Sequence, residues 1–201
     1  MFDFGSARFR AIEKEDLKYI HEWENDYELF LYTRANPLHF ITVEQVENEY
    51  EELLKNKNAL SLIVEDSHDK HIIGLARFMI NESDVRSAEI GIYIAAKEQW
   101  NKGLGKLITL GLLEMLFYHR GFEKVVAGSA EFNSRAHKAL EYCGFRKEGE
   151  IRRGIKLYGK YYSWCIYGEL YEEYMQIREK ALKETLKEDY EEYIKMVSNI
   201  G

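Results

Sequence analysis

The alternation of apolar and polar positions resolves the chain into a series of strands and helices. Residues 7–12, Ala-Arg-Phe-Arg-Ala-Ile, have the period of two of a half-buried strand, and residues 13–17 open a helix that carries Leu17, Ile20, Trp23 and Glu24 at helical spacings. Residues 43–54 read as an acidic amphipathic helix with Val46, Tyr50, Leu53 and Leu54 on one side. Residues 59–64 and 71–79 read as strands joined by a polar hairpin turn, and 81–87 as a loop.

The stretch from Ala88 to Leu116 is the one around which the rest is arranged. An apolar run with β-branched and aromatic residues, Ile90 to Ile94, is followed by a polar turn, by Lys102-Gly103-Leu104-Gly105-Lys106, and by a helical pattern from Leu104 to about Arg120 that is apolar almost all round and predicts a helix packed on two sides. His119, Arg120 and Gly121 form its stop signal. A strand, a glycine loop and a helix N-terminus gather unpaired backbone N–H groups at the positive end of the helix dipole, an arrangement that cradles an anion. A Walker loop is excluded because Leu107 stands where a hydroxyl residue would hold magnesium. A dinucleotide fingerprint is excluded because Ile108 replaces its third glycine and the loop begins nine residues after Ile94.

Residues 124–129 read as a buried strand, and Asn133 or Ser134 caps a short helix with Ala136, Ala139, Leu140 and Cys143 on one face, ended by Gly144. Residues 146–156 and 161–170 form a terminal hairpin around Leu157-Tyr158-Gly159-Lys160. From 171 to 197 the pattern is one long charged helix with Leu182, Leu186, Tyr190, Tyr193 and Val197 three or four apart. That stripe is expected to pack on its own domain or to pair with a second copy as a homodimer.

Two motifs give the cradle its context. The loop Trp100-Asn101-Lys102-Gly103-Leu104-Gly105 and, further on, Asn133-Ser134-Arg135-Ala136 followed by Leu140-Glu141-Tyr142-Cys143-Gly144-Phe145 resemble the signature of the GNAT acyl-CoA N-acyltransferase superfamily. Trp100 stands where arginine or glutamine is usual, a departure shared with the branch that resembles ribosomal-protein N-terminal acetyltransferases and spermidine acetyltransferases. The stretch from Arg10 to Asp26 resembles the start of the same branch. The resemblance implies an α/β (α+β) fold with a mixed, mostly antiparallel central sheet flanked by helices. It divides the chain into a catalytic domain, residues 1–170, and a C-terminal helical extension, 171–201.

It further implies an N-acetyltransferase using acetyl-CoA as co-substrate, without a metal, by direct transfer in a ternary complex. The backbone of Ile92, Tyr93 and Ile94 would hold the pantetheine and the thioester carbonyl. The amides from Asn101 to Lys106, with the charges of Lys102 and Lys106, would hold the diphosphate, and Asn133 would bond the pantetheine arm. Tyr32, Arg34, Tyr158 and Tyr161, together with Tyr27, Phe30 and Tyr162, are candidates to touch the acceptor. Glu89, fourteen residues before Gly103, is the candidate general base. A lysine-like amine of pKa near 10.4 is only about one part in a thousand neutral at pH 7, a penalty of roughly 4–5 kcal/mol, whereas an α-amine near 8 loses about 1 kcal/mol. Many superfamily members carry an acidic tyrosine seven residues after the asparagine, and here that position is Leu140. Tyr142 lies about 200° further round the helix, so Ser129, a water or a hairpin tyrosine is left to protonate the leaving thiolate, unless it leaves unaided. The six histidines show no triad or metal spacing, and His137 reads as a surface residue.

The acceptor stays open at this point. A protein N-terminal α-amine fits the branch and the missing tyrosine. A polyamine or other small amine fits the net charge of −7 and the acidic run Glu22, Glu24, Asp26, Glu28. A non-catalytic acyl-CoA-binding module or a scaffold assembled through the tail helix are the rival classes. The acidic balance disfavours a nucleic-acid partner. No run reaches membrane-spanning length, nothing reads as a signal peptide, and Cys143 and Cys165 lack any paired spacing. A soluble cytoplasmic enzyme with free thiols is therefore expected.

Overall fold

Eight strands form a single sheet in the order β1-β2-β3-β4-β5-β6-β8-β7 in the computed structural model, which describes residues 1–33, 40–81 and 85–199. The strands are β1 Phe2–Phe4, β2 Ala7–Ala11, β3 Ala59–Asp66, β4 Ile72–Asn81, β5 Ser87–Ile94, β6 Lys124–Ala130, β7 Arg146–Leu157 and β8 Lys160–Leu170. Every neighbouring pair is antiparallel except β5 and β6. The mixed, mostly antiparallel α/β sheet expected above is thus present, with the terminal hairpin as β7 and β8.

Alternation along the strands gives the sheet two apolar faces. One carries Phe4, Phe9, Val64, Ala76, Phe78, Ile90 and Val125 and is covered by α4, Leu104–Leu113, by α5, Ser134–Tyr142, and by the C-terminal helices. The other carries Ile63 and Leu75 and is covered by α1, Leu17–Glu24, and α3, Val43–Lys55, through Leu17 and Val46. Thr42 caps α3 through a reciprocal box with Gln45. Between α1 and α3 lies a further helix, α2, Tyr27–Thr33.

Two local expectations are corrected, and one strand is added. The helix from Leu104 stays α-helical only to Leu113 and continues as a wider π-helical turn, Glu114–His119, which turns the buried carboxylate of Glu114 toward the C-terminal helices. The long terminal helix is two, α6 Tyr171–Leu186 and α7 Tyr190–Ser198, broken where Lys187 takes φ +52°. Both pack on this chain's own core through Tyr174, Leu182, Leu186, Tyr193 and Val197. Strand β1 is three residues long, too short for alternation to reveal.

The parallel pair positions the site. β5 and β6 are in register from Ser87 opposite Lys124 to Ile90 opposite Ala127, and there the pairing ends. β5 runs on to Ile94, held on its far side by β4 as far as Gly74, and β6 runs on to Ala130, held by β8. The two strands splay apart, and residues 91–94 keep one edge without a partner strand. Backbone N–H and C=O groups on such an edge must be met by something other than the sheet.

Candidate active site

Two structures converge on this opening. One is the loop after β5: a 3-10 turn, Lys97–Gln99, then Trp100, then Asn101 at φ +63° and Gly103 at φ +89° before α4. Gly103 is the N-cap of α4, and no side chain caps the helix. The left-handed backbone at Gly103 is one that a residue with a Cβ adopts only with strain. The indole N–H of Trp100 donates to the carbonyl of Ile94 at 2.9 Å, so the tryptophan ties the loop to the end of β5. Of the two loop lysines, Lys102 is exposed, while Lys106 has its ammonium 4.0 Å over the ring of Tyr142 and is committed to α5.

The second structure is α2, which crosses the opening from the other side. The Tyr93 hydroxyl donates to the carbonyl of Trp23 at 2.6 Å, and Lys97 bridges Asp26 and Glu28 at 2.9 and 3.0 Å. Burial acts against the charge on Asp26, but Lys97 and the N–H groups of Leu29 and Glu28 hold its carboxyl below the usual range. Two members of the acidic run thereby share one lysine, and Glu22 is exposed.

Asn133 has two partners. Its Oδ1 accepts from the N–H of Ala136 at 3.2 Å, capping α5, and its Nδ2 donates to the carbonyl of Tyr32 at 3.3 Å. From Tyr32 an aromatic wall continues to Phe132, with ring centres 6.2 Å apart, and on to Tyr162 at 5.0 Å. The hydroxyls of Tyr27 and Tyr158 meet and join α2 to the tip of the terminal hairpin. Tyr161 is exposed, with Arg153 and Lys156 against its ring, and strand alternation turns it to the face opposite Tyr162. Arg34 lies outside the described residues; so does any statement about the Phe30 side chain.

Glu89 is exposed, and its side chain makes no ion pair or hydrogen bond among the described residues. The alternation of β5 and β6 puts it on the sheet face that carries Val126 and Gly128. The indole of Trp164 lies over Gly128 so closely that a Cβ there would stand 2.4 Å from its Nε1.

On the opposite face, under α5, Ser129 is 3% exposed and its Oγ has no partner among the described residues. The reading of His137 as a surface residue is corrected: its ring packs on Tyr167 at 5.4 Å, with Nε2 buried and without a partner among the described residues. Tyr142 points away from the opening, its hydroxyl bonded to Glu184 at 3.1 Å and Thr185 at 3.2 Å on α6. Burial pushes the Cys143 thiol well above its usual range, which leaves it an inert packing group. No cluster of three or more His, Cys, Asp or Glu side chains suited to a metal ion occurs among the described residues.

Residues 7–146, more than half of the chain, match the family model described as acetyltransferase (GNAT) domain. The chain belongs to the GNAT acetyltransferase family. It is 28% identical over 152 residues to a spermidine N(1)-acetyltransferase of Vibrio cholerae, covering 76% of this chain and 86% of that one. It is 27% identical to an uncharacterized N-acetyltransferase of the SPbeta prophage of Bacillus subtilis, with 82% and 90% covered. Among solved structures, the spermidine N-acetyltransferase of Vibrio cholerae in complex with CoA and spermine superposes with a TM-score of 0.76 at 27% identity, over 85% of this chain and 98% of that one. The chain is an N-acetyltransferase that uses acetyl-CoA as co-substrate.

The residues present fit that co-substrate. An unpaired strand edge, an uncapped helix N-terminus and a buried orphan hydroxyl adjoin one another where a long molecule with a diphosphate, amide groups and a thioester must be held. Sequence reasoning missed α2 as a helix and missed Phe132 and Trp164. Their signal, aromatic residues just after β6 and inside β8, looks the same in sequence as ordinary core. Among the described residues no helix is long and apolar enough to cross a membrane.

Proposed function

We propose that this enzyme acetylates a primary amino group of a small polycationic amine of the polyamine class. The observation that carries the reading is the wall Tyr32–Phe132–Tyr162 beside the β5/β6 opening, with Trp164 and the free carboxylate of Glu89 on the adjoining sheet face. Aromatic faces attract an ammonium group and accept a flexible methylene chain, each contact contributing about 0.5–2 kcal/mol. An exposed carboxylate supplies both attraction and a base. The names of the relatives support the same class, since the Vibrio cholerae enzyme is a spermidine N(1)-acetyltransferase and its structure holds spermine.

In this reading the backbone edge at Ile92, Tyr93 and Ile94 and the amides from Asn101 to Lys106 position acetyl-CoA. Glu89 takes the proton from the attacking ammonium, directly or through one water. The amine then adds to the thioester carbonyl, the carbon–sulfur bond breaks, and the sulfur leaves with the electron pair and takes up the proton that the new amide nitrogen releases. Asn133 orients α5 and α2 about the opening. Of the extension, 171–201, the helices α6 and α7 belong with the catalytic domain, 1–170, as a support packed through Tyr174, Leu182 and Tyr193.

Leu140, where a tyrosine would serve as acid, favours a second reading in which the acceptor is a protein N-terminal α-amine, which is more readily neutral at pH 7. Thiol release from acetyl-CoA, followed with spermidine, an aminosugar and a short peptide with a free N-terminus, separates the two. Release dependent on spermidine is expected. Release with the peptide alone overturns the polyamine assignment, and calorimetric binding of acetyl-CoA without turnover of any amine returns the chain to the binding-module class.

A further inference from the structure

Arg135 stands on the first turn of α5 with its guanidinium carbon 3.9 Å from the ring centre of Trp100 and 4.4 Å from that of Tyr32. The two rings lie edge to face at 6.1 Å. The cation is therefore held between the loop that follows β5 and the helix that crosses the opening. One turn further along the same face of α5, Ala139 stands 3.5 Å from the Cβ position of Gly105, which seats that face against the first turn of α4. Arg135 is thereby carried beyond the N-terminus of α4, over the loop 100–103.

The chemistry of the contact decides what this group is free to do. A guanidinium stacked on aromatic rings uses its faces and leaves its N–H donors around the rim, a planar fork that matches phosphate oxygens. Among the described residues Arg135 has no carboxylate partner. Of the two loop lysines, Lys102 is exposed and Lys106 is turned onto Tyr142. The chain carries a net charge of −7, so a polyanionic ligand entering here depends on such local cations. Trp100 occupies the loop position where the motif usually has arginine or glutamine, and Arg135 returns a donor to that place from the neighbouring helix.

We propose that Arg135 is a phosphate-binding residue for the acyl-CoA, held in place by Trp100 and Tyr32 and directed at a phosphate group lying over the loop. It is a binding residue rather than a participant in acyl transfer, and it links occupancy of the loop to α2 through Tyr32. The inference rests on the acetyl-CoA reading of this loop.

The test compares Arg135→Met, which keeps a flexible apolar stem between the rings but has no donors, with Arg135→Lys and the unaltered enzyme. Steady-state kinetics and calorimetry with CoA are the two readouts. Arg135→Met is expected to raise KM for acetyl-CoA and Kd for CoA about tenfold or more, with kcat within about twofold, and Arg135→Lys to recover part of the loss. Repeating the series with 3′-dephospho-CoA identifies the partner: a loss that persists assigns the diphosphate, and one that vanishes assigns the 3′-phosphate. Unchanged Kd in Arg135→Met, or a fall in kcat with KM and Kd unchanged, overturns the proposal. Failure of the unaltered enzyme to bind CoA would instead overturn the reading of the loop itself.

Discussion

Arg178 of α6 grips the carboxylate of Glu114 at both oxygens, 2.7 Å each, at a point where the glutamate is completely buried. The hydroxyls of Tyr174 and Tyr193 donate to the same carboxylate at 2.5 Å, so α6 and α7 are both fastened to the segment that continues the loop helix α4. Removing one partner of a buried charge pair leaves the other uncompensated, an effect of about 3–5 kcal/mol. Arg178→Ala is expected to lower stability by an amount in that range, as read from urea unfolding. Tyr193→Phe, which removes one of four hydrogen bonds, should lower it by about 1–2 kcal/mol. Equal stability of Arg178→Ala and the unaltered chain would contradict this.

Glu169 supplies a pH dependence. It is fully buried on β8, both its oxygens lack partners among the described residues, and a Cβ on Gly144 would stand 2.5 Å from its Oε1. Burial, with Glu173 adding repulsion and Arg146 offsetting part of it, pushes its carboxyl from 4.5 up to about 8. Between those values the unfolded chain has released the proton and the folded chain has kept it. Stability therefore falls as pH rises through that window, by up to ~1.4 kcal/mol per pH unit, and is flat outside it. Glu169→Gln is expected to remove this fall, so its stability advantage over the unaltered chain should grow between pH 6 and pH 8. Parallel unfolding midpoints across that range would rule the effect out.

Ser129 and Tyr142 separate two accounts of how the thiolate is protonated. The buried, unpartnered hydroxyl of Ser129 is a penalty of about 1–3 kcal/mol to the free protein that a bound sulfur would relieve. Ser129→Ala is expected to leave the free protein as stable or more stable while lowering kcat. Tyr142→Phe should leave kcat within about twofold, because that hydroxyl is spent on Glu184 and Thr185. A collapse of kcat in Tyr142→Phe alone would reverse the assignment.

Glu89→Gln tests the base through its pH profile. General-base catalysis contributes typically about 10²–10⁴-fold, and an amine of pKa near 10.4 gains about tenfold in its neutral fraction per pH unit from pH 7 to 9. The kcat defect of the variant should therefore be large at pH 7 and shrink as pH rises. A defect that is constant with pH would mark Glu89 as structural.

Much of this architecture is legible in the chain because it follows from alternation and glycine placement. Every strand of the sheet except β1, the loop with Gly103 and Gly105, and the terminal hairpin come from local pattern. What local pattern cannot carry is the destination of a side chain between elements. Arg135 carries no signal in the local pattern, and its place between Tyr32 and Trp100 exists only once α2 and the loop are folded against it. Glu114 is one acid in an apolar helix, and its partners are 60 to 79 residues away; the spacing of Tyr174 and Arg178 on one helical face was the available signal. The break at Lys187 takes a positive φ at a lysine, with no glycine or proline to announce it.

The most direct test of the account is the rate of CoA release by the full-length enzyme with acetyl-CoA and spermidine, with the product identified by mass. The account predicts saturable, spermidine-dependent release and a monoacetylated polyamine. Release of CoA with no acetylated polyamine, or no response to spermidine while a peptide N-terminus is acetylated, would contradict it.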